Sequence, residues 1–468
     1  MTEKRKRKLA MPDTLIIVAS VVLLVAILSW IIPSGTYDYQ EMNINGRIRN
    51  VAIDGTYHTI DKSEVTTTGF LGFFSVLYRG CVEAADVIFM ILCCCGTFGV
   101  VVKTGAFHAG IGTILKKLKG KEILLVPIIM LIFGLGGSVF GMASEFYGFY
   151  PLIVGLGVAL GYDAMFGFAI IAVGEFVGFM GATLNPYSVG IAQTISGVEL
   201  YSGTGYRTIC FVIFMVISII YVMMYGRKIK KNPGASVVFG EKNIHAFDRD
   251  ELNEYSFTLK DGLVLLDVLV VLVVLMFGLI KWGWDFPQLC GLFLLMSMIA
   301  AAICKWSPNK WCSEFIDSAK TAMWGCILTG IAKAITVVMQ DAQIMDTVIY
   351  GLSNLLKNAP HAVSAQVMLV VQTLINFFIP SATGQASATM PIMAQLADII
   401  GVSRQTAVLA FQFGDGLSNI FWPTADIVII CGLGGISLQK WYKWFTPLFL
   451  ILFATQAILL GIATGIGF

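Results

Sequence analysis

NFFIPSATGQASATMPIMAQLADIIGVSRQTAVLAFQFGDGLSNIFWPTADIVII, residues 376–430, does not read as a set of plain membrane helices. Its apolar runs are cut by two polar breaks that carry Gly or Pro, PSATGQASATMP (380–391) and SNIFWPTAD (418–426). Irregular backbone at bilayer depth is tolerated when it is buried in protein or lines a watery cavity, because unpaired amides in lipid cost several kcal/mol. The stretch therefore predicts a re-entrant hairpin over 363–400 and a discontinuous helix over 405–438.

The rest of the chain makes a bilayer the right setting. Of 468 residues, 57% are apolar and 13% charged, against roughly 45–50% and 25% in soluble domains. There are too few charges to coat a water-facing surface. The 48 Gly, 20 Met and 32 Phe fall in long apolar runs, as in helices packed closely within lipid. The class is an all-α polytopic membrane protein. Net charge is +2, so nothing global points to nucleic acid. The ten cysteines sit mostly in apolar stretches and read as reduced packing residues. Cys93, Cys94 and Cys95 point about 100° apart on a helix and cannot chelate one metal together.

Residues 13–32 form an apolar stretch of about 20 residues, long enough to span as an uncleaved first helix. Lys4, Arg5, Lys6, Arg7 and Lys8 precede it and predict a cytoplasmic N-terminus. A polar loop, 33–68, contains alternating strand-like pieces such as GRIRNVAID and is expected outside. Crossings are predicted at 84–104 and 206–225, with basic clusters Lys116, Lys117, Lys119, Lys121 and Arg227, Lys228, Lys230, Lys231 inside. The charged stretch 226–261 reads as a cytoplasmic linker between 1–225 and 262–468. Further crossings are expected at 262–282 and 288–304, then, after an amphipathic piece from about 311, one that ends at about 340, and a last one at 445–463.

The interrupted pattern occurs twice. Residues 123–160 predict a first hairpin with the tip GMASEFYG, and 164–200 a helix broken at GATLNP. Pro151 and Pro391, Gly161 and Gly401, Gly174 and Gly414, and the acids Glu175 and Asp415 each lie 240 positions apart. Breaks, turn and acid coincide, so the chain reads as an internal duplication. Counting crossings puts the two copies in opposite orientations, which predicts inverted repeats of the kind found in secondary transporters. Pro186 and Pro423 remove backbone donors and are expected to free carbonyls in the breaks, which suits a small cation. Half-helix N-termini suit a carboxylate.

The quoted stretch is similar to the second hairpin and broken helix of the ion-transporter superfamily that contains the divalent anion/sodium symporters. Within it, the chain resembles the branch of basic amino-acid antiporters and anaerobic four-carbon-dicarboxylate carriers, including arginine/ornithine exchangers. The resemblance covers essentially the whole chain. It implies a dimerising scaffold, a transport domain that moves as a unit, and a site between two hairpin tips and two helix breaks. Position by position it implies Ser381, Thr383, Gly384, Gln385 and Ser387 at the second tip, and Ser418, Asn419, Pro423 and Thr424 at the second break. At the first break it implies Thr183, Leu184, Asn185 and Pro186, with one proline fewer than the family pattern. At the first tip Ser144 is followed by Glu145, where dicarboxylate members carry a Ser-Asn-Thr-like motif.

Charge indicates the cargo. Glu145, Glu175, Asp415 and Asp426 lie in or beside the breaks, while the basic residue read near mid-span is Lys333, with Asp317 and Asp341 as its expected partners. An intramembrane acid is costly and usually functional. Carboxylates suit a guanidinium or ammonium group, so a basic amino acid is the expected cargo, with Glu145 and Asp415 on the substrate. Glu175, Asp426, Pro186 and Pro423 are candidates for a coupling ion, Na+ or H+. Tyr147, Phe176 and Trp422 offer cation–π faces, and Asp163 reads as a helix cap.

The expected function is arginine/ornithine-type exchange by alternating access across the bacterial cytoplasmic membrane, with a small amino acid, the lipid bilayer and a second copy of the chain as partners. The alternative keeps the fold and carries dicarboxylates or other short carboxylates, coupled to sodium or protons. An intramembrane enzyme is disfavoured: His58, His108, His245 and His361 lie in loops or at interfaces without HExxH spacing, and no nucleophile–base pair stands out. No metal or other cofactor is expected beyond the coupling ion. A passive channel would want a continuous polar stripe rather than two compact patches.

Overall fold

The computed structural model describes residues 13–44, 47–118, 122–241, 245, 257–357 and 363–468. The N-terminal basic run, Lys119, Lys121, His361 and part of the 226–261 linker lie outside them. The first helix, α1 (Thr14–Ile31), starts where Asp13 accepts from the Leu15 amide at 2.9 Å. The polar loop folds as expected into antiparallel pairs: β1 (Ser34–Thr36) with β4 (His58–Ile60), and β2 (Tyr39–Ile44) with β3 (Arg47–Ala52).

Eight helices then follow in order: α2 (Phe70–Glu83), α3 (Ala85–Lys103), α4 (Ala106–Leu118), α5 (Leu125–Leu135), α6 (Phe149–Ala159), α7 (Ala164–Met180), α8 (Val189–Ile195) and α9 (Thr204–Lys231). Next come α10 (Leu259–Lys281), which opens on a Thr258/Asp261 capping box, and α11 (Phe286–Ile303). A second series of eight completes the chain: α12 (Pro308–Lys320), α13 (Met323–Asp341), α14 (Met345–Lys357), α15 (Ser364–Phe378), α16 (Ala382–Ile399), α17 (Arg404–Ser418), α18 (Asp426–Gly434) and α19 (Leu438–Gly465). Among the described residues α1, α3, α9, α10, α11, α13 and α19 are long and apolar enough to cross a membrane.

The two series correspond helix by helix, and their packing is reciprocal. Where α2 packs on α13, α12 packs on α3; where α1 packs on α13, α11 packs on α3. The hairpin helix α5 lies on α7 as α15 lies on α17, and α8 meets α16 as α18 meets α6. The correspondence extends to the tightest contacts. It explains two glycines that are 240 positions apart. A Cβ on Gly174 would sit 3.0 Å from Met130 Cα, and one on Gly414 would sit 2.8 Å from Gln372 Cβ. Each broken helix presses its own hairpin at a point where no side chain fits.

One boundary differs from the sequence reading. The second hairpin regains helix at Ala382, directly after the tip, and runs through Pro391. Ser381 is the N-cap: its hydroxyl accepts from the Gly384 amide at 3.3 Å, so the polar run 382–390 is helix rather than loop. A proline mid-helix costs one hydrogen bond, and neighbouring helices within a membrane bundle offset it.

Candidate functional site

The first hairpin tip is built by a π-turn, Gly136–Phe140, that ends on Gly141 with φ of 68°. This irregular turn presents the Ser138 carbonyl to the first helix break, where it accepts from Thr183 N at 2.9 Å and Leu184 N at 3.3 Å. The Ser138 hydroxyl also donates to Gly181 O at 3.1 Å. Asn185 Oδ1 accepts from Tyr187 N (2.9 Å) and Ser188 N (3.2 Å), capping the entry to α8, and its buried Nδ2 has no protein partner. Thr183 and Asn185 thus shape the break, and Pro186 beside them is half-buried.

The two halves clasp each other across the tips. Thr383 Oγ1 of the second tip donates to Tyr187 O of the first break at 2.9 Å. Tyr147, just past the first tip, donates its hydroxyl to Asp426 Oδ1 of the second break at 2.7 Å. Each hairpin is therefore tied to the other series' broken helix.

Beneath the second tip lies a buried amide–carboxylate hub. Asn376 Nδ2 is within 3.2 Å of Gln385 Oε1, 3.0 Å of Asp415 Oδ1 and 3.1 Å of Asn419 Oδ1. An amide nitrogen carries two protons, so three acceptors compete for two donors. Asn376 Oδ1 and Asp415 Oδ2 are buried without protein partners. Gln385 Nε2 is spent on Gln372, at 2.7 Å from Oε1 and 2.9 Å from its carbonyl. Sequence reading missed Asn376 and Gln372. The available signal was two amides one helical turn apart in the apolar run of α15.

The carbonyls expected to open at Pro423 are closed. Ser418 O accepts from Phe421 N and Trp422 N, Asn419 O from Ile427 N, Ile420 O from Trp441 Nε1, Phe421 O from Tyr442 Oη, and Trp422 O from Ala425 N. The backbone freed by the break is recaptured by α19 and by tight turns. Ser418 Oγ donates to Gly414 O at 2.5 Å, while Thr424 Oγ1 is buried with no protein partner.

The acids divide by exposure. Glu175 and Asp415 are fully buried and Glu145 is 8% exposed, whereas Asp426 is half-buried. Glu145 Oε2 turns back to its own tip, accepting from Ala143 N at 2.9 Å. Glu175 Oε2 accepts from Tyr150 Oη at 2.9 Å. Ser381 is exposed; Ser144, Pro186, Thr383, Gly384, Ser387 and Pro423 are half-buried. The Ser387 hydroxyl donates to Thr383 O at 2.9 Å. Among the described residues no Lys or Arg is ion-paired with any of these four acids; the ion pairs join Arg79 to Asp341, Lys103 to Glu314, Lys320 to Asp317, Arg404 to Asp398 and Lys440 to Glu241.

That pairing corrects the reading of Lys333, whose expected partners Asp341 and Asp317 are taken by Arg79 and Lys320. Arg207, passed over in the sequence, is 1% exposed at the start of α9, with Nη2 at 3.4 Å from Gln405 Oε1. Trp422 donates Nε1 to Thr373 O at 2.6 Å and stands edge-on to Phe377, so its edge is committed to the hairpin. Phe176 is buried packing. Asp163 does cap α7, accepting from Phe166 N at 2.7 Å, and it also accepts from Tyr225 Oη and Ser236 Oγ.

A helical membrane body of many spans, with paired hairpins and broken helices closing on a polar, acid-bearing centre, defines a transport protein. Sequence comparison places it further: the chain belongs to the family described as "DcuC: C4-dicarboxylate anaerobic carrier", which it matches over residues 11–465. It is 32% identical to "Putative basic amino acid antiporter YfcC" of Escherichia coli (strain K12), over 97% of this chain and 96% of that one. It is 27% identical to an "Uncharacterized protein" of Haemophilus influenzae (strain ATCC 51907 / DSM 11121 / KW20 / Rd), over 98% and 97%. Among solved structures it is similar to the YdaH transporter of Alcanivorax borkumensis (15% identity, TM-score 0.44, 98% of this chain and 99% of that one). It is similar also to MtrF of Neisseria gonorrhoeae (16% identity, TM-score 0.44, 97% and 96%).

Proposed function

We propose that this chain is a secondary transporter of basic amino acids, of the arginine/ornithine exchange type, working by alternating access in the bacterial cytoplasmic membrane. The observation that carries the reading is the charge at the clasp. Asp426 keeps one carboxylate oxygen beyond its bond to Tyr147, at the first turn of α18, and no lysine or arginine among the described residues neutralises it. A guanidinium or ammonium group pairs with such a carboxylate, and the hydroxyls of Ser381, Thr383 and Ser387 offer neutral partners for the rest of the molecule. The relative named as a basic amino acid antiporter agrees in cargo.

The hub of Gln385, Asp415 and Asn419 around Asn376 is the proposed coupling-ion site. Hard cations take oxygen ligands, and here three side-chain oxygens and one formal charge converge. Na+ or H+ would then act there through side chains, since the carbonyls of the second break are occupied. The two series of helices are proposed to be inverted in the bilayer, with the N-terminus cytoplasmic and two copies joined through the scaffold helices.

The family description favours a second reading, transport of a four-carbon dicarboxylate or another short carboxylate. Asp426 with Glu145, Glu175 and Asp415 would repel such cargo. Counterflow in proteoliposomes separates the two: vesicles loaded with arginine accumulate labelled ornithine or arginine under the first reading. Accumulation of labelled succinate, with none of ornithine or arginine, sinks it.

A further inference from the structure

The three successive cysteines of α3 part company in the fold. Cys94 turns to the first hairpin, its Sγ 4.0 Å from Ser144 O, and Cys95 is buried. Cys93 meets α11, which packs along α3. The register of these two helices is fixed by Thr97, whose hydroxyl donates to Phe293 O at 2.9 Å. One turn back along both helices, Cys290 comes up against Met90 and Cys93 together. The Cys290 thiol donates to Met90 Sδ at 3.8 Å and shares a hydrogen bond with the Cys93 thiol.

Three sulfurs from two helices thus converge. Met90 and Cys93 are three residues apart, a spacing that puts side chains on one helix face, and Cys290 closes the group from α11. Met90 is fully buried, while both cysteines are free thiols and partly exposed. A single buried methionine or cysteine is ordinary packing. A thioether and two thiols gathered at one point are a ligand set. Metal–sulfur bonds of about 2.3 Å place the corners of a planar three-coordinate site about 4 Å apart. The Cys290 and Met90 sulfurs already stand at 3.8 Å.

The donors choose the metal. Structural zinc takes four ligands, and among the described residues no group of three or more His, Cys, Asp or Glu side chains is placed to hold an ion. Two thiols and a thioether are soft, and soft sulfur ligands select Cu(I). We infer that Met90, Cys93 and Cys290 form a three-coordinate sulfur site for Cu(I) that joins α3 to α11. Binding exchanges a thiol proton for the ion: Cys–SH and Cu+ give Cys–S–Cu and H+, with the other two sulfurs completing the shell. That exchange leaves the charge of the site unchanged, in helices where a net charge is costly. The inference does not depend on which cargo the clasps carry.

The test is anaerobic competition for Cu(I) between the reduced full chain in detergent and a bathocuproine chelator. Wild type should withdraw one equivalent of the ion from the coloured chelator complex, and X-ray absorption at the copper edge should show sulfur neighbours at about 2.3 Å. Cys93→Ser and Cys290→Ser should each abolish the uptake. Met90→Leu should weaken it about ten-fold or more, the lower end of what supporting groups contribute to a metal site. Cys312→Ser removes an exposed thiol on α12 and should leave uptake unchanged. Size-exclusion profile and metal-free melting temperature check that each variant folds. No uptake by wild type, or undiminished uptake by a folded Cys290→Ser, overturns the inference. Zinc(II) in excess should not displace the copper; displacement assigns the thiols to a divalent ion and overturns the choice of Cu(I).

Discussion

Tyr147 and Asp426, 279 positions apart, share a 2.7 Å hydrogen bond that ties the first hairpin to the second broken helix. The phenol donates, so the carboxylate keeps its remaining lone pairs. Thr383 and Tyr187 make the opposite crossing at 2.9 Å. A cargo held at either clasp would therefore touch both series of helices.

Tyr147→Phe keeps the ring and removes the donor. It and Asp426→Asn should each weaken arginine binding several-fold. A double-mutant cycle on binding of labelled arginine should give a coupling of about 0.5–3 kcal/mol, the range for residues in one network. Additive effects would mean that the bond does not order the carboxylate for substrate.

Asn376→Leu removes the amide from the hub and leaves Gln385, Asp415 and Asn419 oxygens without their donor. Each buried acceptor left alone costs about 1–3 kcal/mol, so a drop in melting temperature is expected. If the hub holds the coupling ion, the variant also loses sodium- or proton-dependence of uptake in proteoliposomes. Ion-dependent uptake equal to wild type in a folded Asn376→Leu would remove the hub from coupling.

Gly174→Ala and Gly414→Ala test the helix contacts that set the breaks. The added methyl would meet backbone of Met130 or the Gln372 side chain within about 3 Å, and overpacking of this kind costs about 1–3 kcal/mol. Gly351→Ala, on an open face of α14 with nothing near the new methyl, should be neutral or stabilising by about 0.5–1 kcal/mol. Thermal unfolding of the three purified variants gives the ranking.

The strand pairs β1–β4 and β2–β3 should loosen in alkali. Tyr39 Oη donates to Asp346 Oδ1 at 2.8 Å, and Tyr37 N donates to Oδ2 at 3.0 Å. Burial, then the nearby carboxylates, hold both phenols well above the ordinary tyrosine range. A group raised on folding contributes its stability in full below its unfolded pKa, here about 10. The contribution is lost as pH climbs from there toward the folded value. Limited proteolysis of residues 34–60 should be slow at pH 8 and faster above about pH 10, and Tyr39→Phe should flatten that rise. A cleavage rate that is flat with pH would contradict the docking by these tyrosines.

Much of the architecture is legible in one dimension because its causes are local. Apolar runs of spanning length and polar breaks with Pro186 and Pro423 are properties of neighbouring residues, and a bilayer penalises any other reading of them; the 240-residue spacing can be read along the same string. The paired hairpins, the broken helices and the strands of the 33–68 loop could all be located from this pattern. The acids could be named from it as well.

How each acid is held was decided in three dimensions. Glu145, Asp415 and Asp426 look alike in sequence, yet one folds onto its own tip amide, one is shut inside the amide hub, and one is left half open by a tyrosine from the other repeat. Likewise Pro423 signals a break, but Trp441, Tyr442 and Ile427 then take up the carbonyls around it. Hydrogen-bond partners tens or hundreds of residues away set exposure and satisfaction, and neither quantity is a property of the local string. Composition and spacing make the chain a broken-helix membrane protein; the packing of one series of helices against the other decides which of its polar atoms are left without a protein partner.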